Sequence, residues 1–398
     1  MSSEFLDAAE SIARRVVADA IWHGGRCNWV GVSMDPKEPW QAEYHALEPN
    51  LYDGTAGIGL FLAQLAAVTG DPDARRAAIG ALRQSLARAP AHRTPGLHAG
   101  CLGMAWAAAR AAEVLDDDEL HAGALTVPPP VQDACPDLIL GTAGCVLARL
   151  ALGDYDDAIS GGDHLLATAT ITDHGWSWSD PAQPRRHHLC GVSHGAAGIA
   201  GALVELYAAT GDNRFRIAAE GAFAYERSWL HEPSGTWPDL RIGGQRRGAA
   251  PRPNPPPTVA SWCHGEAGIA ITRLRAIEVL GPDPYEHDAA IAIETTRREL
   301  AATLPFDIAD LTLCHGAAGA ADALLCAGFI DLPIDLGHAA LERYASTQRW
   351  PCTPLGGTTP ALFRGLAGIG WFFLRLHDHE VPSPLAHPAR LTAATAAA

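Results

Sequence analysis

SWCHGEAG, residues Ser261–Gly268, and its echo LCHGAAG, residues Leu313–Gly319, decide how this chain is read. Each places a Cys-His pair directly ahead of a Gly-x-x-Gly phrase. Working outward, the same phrase stands at Gly54–Gly57, Gly100–Gly103, Gly141–Gly144, Gly195–Gly198 and Gly365–Gly368, with first glycines 46, 41, 54, 70, 51 and 49 residues apart along the full series. Each phrase opens an apolar run, such as IGLFLAQLAAV at 58–68 or IAGALVELYAA at 199–209. These runs are apolar nearly all round, as a helix buried on both sides is. Between them lie amphipathic stretches with Arg, Glu and Asp on one face, at Pro72–Ala89, Asn213–Leu230, Pro284–Leu304 and Leu336–Arg349. They read as an outer layer of helices.

Seven alternations of buried and half-exposed helix call for a repeat architecture. An open solenoid needs polar end caps, yet the last repeat, LFRGLAGIGWFFLRL at 362–376, is as apolar as the others. The expectation is therefore an all-α fold: a closed (α/α) toroid, or double helical barrel, of about seven inner and seven outer helices. We expect a single domain over residues 1–398, with its core at 45–375. The glycines should sit where inner helices start close together, allowing tight backbone approach and positive φ. Converging helix N-termini give that mouth a positive rim. Residues 1–24 read as a helix stopped by His23-Gly24-Gly25, and 25–50 as irregular.

The 398 residues are 48% hydrophobic, enough for a large core. A net charge of −16 argues against nucleic acid as a partner. There is no run of 18 apolar residues and no signal peptide at the N-terminus, so a cytoplasmic protein without a membrane span is expected. Nine scattered cysteines, an odd number, do not suggest a disulfide framework. The step of 70 residues holds a long Pro-, Gly- and Arg-rich loop, Pro233–Thr258. Loops of that length are commonly functional. Just ahead of Cys263, and basic on an acidic chain, it is expected to cover the mouth and contact a peptide through Arg241, Arg246 and Arg247.

If all seven phrases face one mouth, the residues ahead of them form a shared site: Tyr52-Asp53, Leu97-His98, Asp137, His194, Cys263-His264, Cys314-His315 and Phe363-Arg364. A structural repeat alone needs only the glycines. Thiols and imidazoles are the soft donors that hold zinc. Cys263 and Cys314 lie 51 residues apart, so only the fold can unite them. With His315 they make three ligands, leaving a fourth position open as in catalytic zinc sites. His264 competes for the third place. His194 is the mouth histidine outside the two Cys-His pairs that directly precedes a Gly-x-x-Gly, and an imidazole suits proton transfer near neutral pH. Asp137 could orient it; an Asp answering a helix dipole is the plainer alternative. Asp53 and Arg364 read as structural, and Cys190 as a buried thiol.

Taken in order, LYDGTAGIGLFLA, PDLILGTAG, GVSHGAAGIAGAL, SWCHGEAGIA and LCHGAAGA resemble the lanthionine synthetase C-like family over roughly residues 45–375. The resemblance is closest to the cyclase domains of two-function lanthipeptide synthetases. It implies a double α-toroid with one zinc, on Cys263, Cys314 and His315, and an acid/base pair, His194 and Asp137. The implied reaction adds precursor-peptide Cys thiols to dehydroalanine or dehydrobutyrine and closes thioether rings. Some stand-alone members carry a basic residue a few positions before the first zinc Cys; here Val259 and a Pro-rich run stand instead. No dehydratase region precedes the cyclase-like part, so a separate dehydratase is the expected partner, delivering a dehydrated precursor peptide. Other readings are addition of glutathione or another small thiol to dehydroamino acids, a zinc-stabilised peptide-binding scaffold, and an α-toroid glycoside hydrolase, which needs two opposed carboxylates.

Overall fold

The computed structural model describes residues 3–34, 42–127, 135–180, 187–241, 258, 260–352 and 358–388. In every repeat the first glycine of the phrase is the N-cap of an inner helix. These helices are α2 (Thr55–Thr69), α4 (Cys101–Leu115), α6 (Thr142–Ala151), α8 (Ala196–Thr210), α10 (Glu266–Leu280), α12 (Ala317–Cys326) and α14 (Leu366–His377). The outer layer consists of α1 (Ser3–Ala18), α3 (Pro72–Arg88), α5 (Asp118–Ala124), α7 (Tyr155–Thr168), α9 (Asn213–Arg227), α11 (Tyr285–Thr303) and α13 (Asp331–Tyr344). Among the described residues this makes the expected seven inner and seven outer helices. Each inner helix packs on the next, and α14 returns to α2. The N-terminal helix α1 completes the outer ring against α14, burying Phe5, Ala9, Ile12 and Val16.

Closure is also written into the backbone at the mouth. Ser193 N donates to Cys263 O (2.9 Å), Trp262 N to Cys314 O (3.1 Å), Cys314 N to Phe363 O (2.9 Å) and Phe363 N to Tyr52 O (3.0 Å). The circuit continues from Tyr52 N to His98 O (2.8 Å), His98 N to Ile139 O (3.2 Å) and Leu138 N to Ser193 O (3.2 Å). Each link joins one repeat to its neighbour, and the last meets the first. Buried backbone groups that precede a helix need partners, and here each repeat supplies them to the next.

This ring explains the glycines, though not in the way positive φ would. The N-cap glycines are extended, with Gly265 at φ −111° and Gly195 at φ −118°. What they and the second glycines provide is space. A Cβ on Gly268 would lie 2.1 Å from the carbonyl oxygen of Trp262, and the second glycine of every other phrase presses in the same way on the carbonyl six residues earlier.

Among the described residues three two-stranded antiparallel sheets depart from an all-helical reading: β1 (Ile21–His23) with β2 (Arg26–Asn28), β3 (Val30–Met34) with β4 (Ala42–Ala46), and β5 (Thr170–Thr172) with β6 (Gly175–Ser177). The first corrects the helix expected over 1–24. Helix α1 ends at Ala18, and Gly24 and Gly25, both at positive φ, form the two-residue turn that suits a hairpin. The outer helix expected at Leu336–Arg349 instead runs Asp331–Tyr344. Pro333 falls in its first turn, where a missing N–H costs nothing. Among the described residues no helix is long and apolar enough to cross a membrane.

Helix α10, whose head carries the Cys263 phrase, is held from both sides. Arg273, fully buried, pairs with Glu226 of α9 (2.9 Å) and Asp288 of α11 (3.1 Å). Removing one partner of such a buried set strands a charge, at a cost of about 3–5 kcal/mol.

Candidate metal centre and acid/base pair

The repeat brings Cys263, from the loop before α10, and Cys314-His315, from the loop before α12, to adjoining positions of the mouth. The two sulfurs and an imidazole nitrogen of His315 all lie within 4.8 Å of one another. Both thiols are buried and His315 is exposed, so the trio has a closed and an open side. Zn–S bonds of ~2.3 Å and Zn–N bonds of ~2.0 Å fit a trio of this span, and the donor set is the soft one zinc favours. The thiols influence each other. Cys263 is the first to ionise, its acidity raised by a hydrogen bond from Cys314 and further by His315 and His264. Burial, and then that neighbour, push Cys314 up.

His264 is not part of the trio. Its Nε2 meets Ser193 Oγ at 3.0 Å, and burial lowers its pKa to about 4. Its ring stacks on His194, with centroids 5.7 Å apart. His194 is one third exposed, and its Nδ1 lies 2.5 Å from Oδ2 of Asp137, which is buried. The other oxygen of Asp137 accepts from the Leu140 backbone N–H at 2.7 Å. One carboxylate thus ties the turn before α6 and holds the imidazole of the next repeat. This pair is linked to the sulfur site through the residue before His194: Ser193 N bonds to Cys263 O in the mouth ring.

Three residues make contacts that spacing does not foretell. Tyr52, from the first repeat, donates its hydroxyl to Cys314 Sγ at 2.9 Å. Burial, reinforced by the Cys314 sulfur, raises the Tyr52 pKa well above its ordinary value, so the phenol stays a donor. The other two are Asp239 and Arg241. Asp239 accepts from Arg241 Nε at 3.0 Å, Nη2 at 2.7 Å and the backbone N at 2.9 Å. Burial acts upward on the Asp239 carboxyl, but the Arg241 hydrogen bonds outweigh it and hold the pKa down. The guanidinium exerts its charge on both Cys263 and Cys314. The start of the expected mouth loop is therefore packed in place, with Trp237 fully buried. Residues 242–257, including Arg246 and Arg247, lie outside the described residues.

Beside the trio is a cleft of about 180 Å³ whose wall includes Ser261, His315, Glu266, Glu299 and Thr296. Glu266, the first residue of α10, accepts from the Trp237 backbone at 3.2 Å, and burial pushes its pKa up to about 7. A folded-state pKa above the unfolded one means stability that is full below about pH 4.5 and lost as pH rises through about 7. Glu266→Gln keeps the acceptor and removes the charge. Its stability relative to wild type, from urea unfolding, should rise between pH 5 and pH 8 by on the order of 3 kcal/mol. A difference independent of pH would show that Glu266 ionises as readily in the fold as in the open chain.

A search of curated protein sequences finds no match. Among solved structures the chain is similar to nisin cyclase, at 16% identity and a TM-score of 0.60 over 86% of this chain and 92% of that one. It is also similar to a UGL variant described with dGlcA-Glc-Rha-Glc, at 15% identity and a TM-score of 0.52 over 97% of this chain and 99% of that one. A family 76 glycoside hydrolase from a bovine Bacteroides thetaiotaomicron strain matches at 12% identity and 0.52, over 94% of this chain and 77% of that one. At these identities the likeness is one of fold, the toroid of paired helices. Residues 45–386 match the family described as Lanthionine synthetase C-like protein. By that match across most of its length, the chain belongs to the lanthionine synthetase C-like family.

Proposed function

We propose that this protein is a thioether-forming cyclase, adding Cys thiols of a dehydrated precursor peptide to dehydroalanine or dehydrobutyrine to make lanthionine and methyllanthionine rings. One observation carries the reading: two thiols and an imidazole converge on the mouth, and Ser193, the residue before His194 of the His194–Asp137 pair, bonds through its backbone N to Cys263 O. Cys263, Cys314 and His315 would hold a zinc ion. Zinc there would lower the pKa of an incoming thiol and keep its sulfur nucleophilic at neutral pH.

The chain's own residues do the rest. As the thiolate sulfur bonds to the β-carbon, the alkene π pair moves to the α-carbon and its carbonyl. His194, whose Nδ1–H is donated to Asp137, takes up on Nε2 the proton that the thiol gives up and delivers it to the α-carbon. The net change is addition of S–H across C=C. Arg241, fixed by Asp239, contributes positive potential where the enolate charge develops, a task that Val259 cannot perform. The alkene must be made beforehand by Ser/Thr dehydration, which we assign to a separate dehydratase. The glycoside hydrolases that share the fold need opposed carboxylates; here Asp137 is committed to His194, and the clustered donors beside it are two cysteines and a histidine.

Incubation with a dehydrated, Cys-containing peptide should remove free thiols at constant mass, counted with an alkylating reagent. Unchanged thiol counts, together with a mass gain of one glutathione when glutathione is added to a Cys-free dehydrated peptide, would instead assign the small-thiol reaction.

A further inference from the structure

Among the mouth residues, Tyr52 has a contact that the proposed reaction does not use. We infer that Tyr52 is a positioning residue of the metal centre, its phenol donating to the Cys314 sulfur so that the two cysteines become unequal ligands. The inference rests on the zinc reading of Cys263, Cys314 and His315. Tyr52 and Cys314 are 262 residues apart in sequence but nearly adjacent in the mouth ring, with only Phe363 between them. Phe363 N donates to Tyr52 O, and Cys314 N donates to Phe363 O. The rings of Tyr52 and Phe363 stack at 5.1 Å with 14° between planes. Both the backbone and the ring plane of Tyr52 are thereby fixed, and its hydroxyl arrives 2.9 Å from Cys314 Sγ. Cys263 has a different partner, Ser261 Oγ at 3.3 Å.

A thiolate that accepts an O–H hydrogen bond gives less electron density to its metal. The sulfur at Cys314 is then the weaker donor, and the ion retains more power to acidify an incoming thiol. The same bond satisfies a buried sulfur and fixes its rotamer, as partners behind metal ligands do elsewhere. A tyrosine that merely fills space beside Phe363 would do neither. Phenylalanine separates the cases, because Tyr52→Phe keeps the ring stack and deletes only the hydroxyl.

The full chain is loaded with Co²⁺ in place of zinc, and the sulfur-to-cobalt charge-transfer band is recorded for wild type and Tyr52→Phe. Without the hydrogen bond the sulfur electrons lie higher, so the band should move to longer wavelength. Zinc, measured against a competing chelator, should be held ~10-fold more weakly, the lower end for lost partners of this kind, because losing the fixed sulfur rotamer outweighs the stronger donation of the freed sulfur. The unfolding midpoint of the metal-free protein should not move. Superimposable cobalt bands with zinc affinities within twofold would overturn the role of Tyr52 and leave the metal site intact. An equal loss of stability in the metal-free protein would make the hydroxyl a structural contact and overturn it too. A wild-type protein with no thiolate-to-cobalt band would overturn the metal site and this inference together. None of these readouts depends on a peptide being cyclised.

Discussion

Replacing Cys263 or Cys314 by alanine is expected to strip the protein of zinc and reduce ring formation to the uncatalysed rate. The expectation follows from a trio with no spare donor: among the described residues, Cys263, Cys314 and His315 form the one group of three donors close enough to share an ion. Zinc sites with four ligands are worth ~10–16 kcal/mol. One ligand's share is then about 2.5–4 kcal/mol, roughly two to three orders of magnitude in affinity. The fold should survive either change. The mouth ring uses the backbone O of Cys263 and the backbone N and O of Cys314, all of which alanine retains. Metal analysis of the purified variants, with helix content from circular dichroism as the control, makes the comparison. Wild type should carry about one zinc per chain and both variants close to none. His315→Ala should lose the metal as well. His264→Ala should keep it, because the Nε2 of His264 is already engaged by Ser193. Full zinc content in both cysteine variants would remove the site altogether, and loss in His264→Ala with retention in His315→Ala would exchange the third ligand.

The toroid was legible because its glycines are forced by contact. A side chain on Gly198 would meet the carbonyl oxygen of Val192 at 1.9 Å, so the phrase recurs wherever an inner helix starts, and its spacing marks the repeats. The sulfur pair and His194 were legible for the same reason, since residues just ahead of the phrase must face the mouth. The hairpins were harder to read. Ile21–His23 is too short for a period-2 pattern, and Gly24-Gly25 serves a helix stop and a hairpin turn equally well. That His315, and not His264, lies with the sulfurs goes with a contact of a third residue, Ser193, to His264, which no spacing supplies. Arg241 was singled out for its charge, but its place depends on Asp239 and on the burial of Trp237. Tyr52 was visible as a mouth residue, yet its partner lies 262 residues away in sequence and meets it only once the ring closes.

The His194–Asp137 pair gives the second large expected effect. Addition of the thiolate leaves charge on the α-carbon and its carbonyl, and the step completes only when a proton arrives. His194→Asn removes the proton carrier while leaving the ring hydrogen bonds, which run through the Ser193 backbone, untouched. Cyclisation should slow by ~10² or more, the lower range for losing a general acid/base. Asp137→Asn is the subtler change. The amide keeps an acceptor for Leu140 N, so the turn before α6 should hold. It loses the anionic acceptor that keeps a proton on His194 Nδ1 and so leaves Nε2 free to take up and pass on the transferred proton. The single variants should therefore fall together, and the double variant should be little worse than the poorer of them, because the two groups act as one unit. The comparison is ring formation over time at matched zinc occupancy, which separates proton delivery from metal loss. Multiplying losses in the double variant would mean that Asp137 acts independently of His194, through the turn it ties. A near wild-type rate for His194→Asn would mean that solvent can protonate the α-carbon, leaving thiol activation and peptide positioning to carry the acceleration.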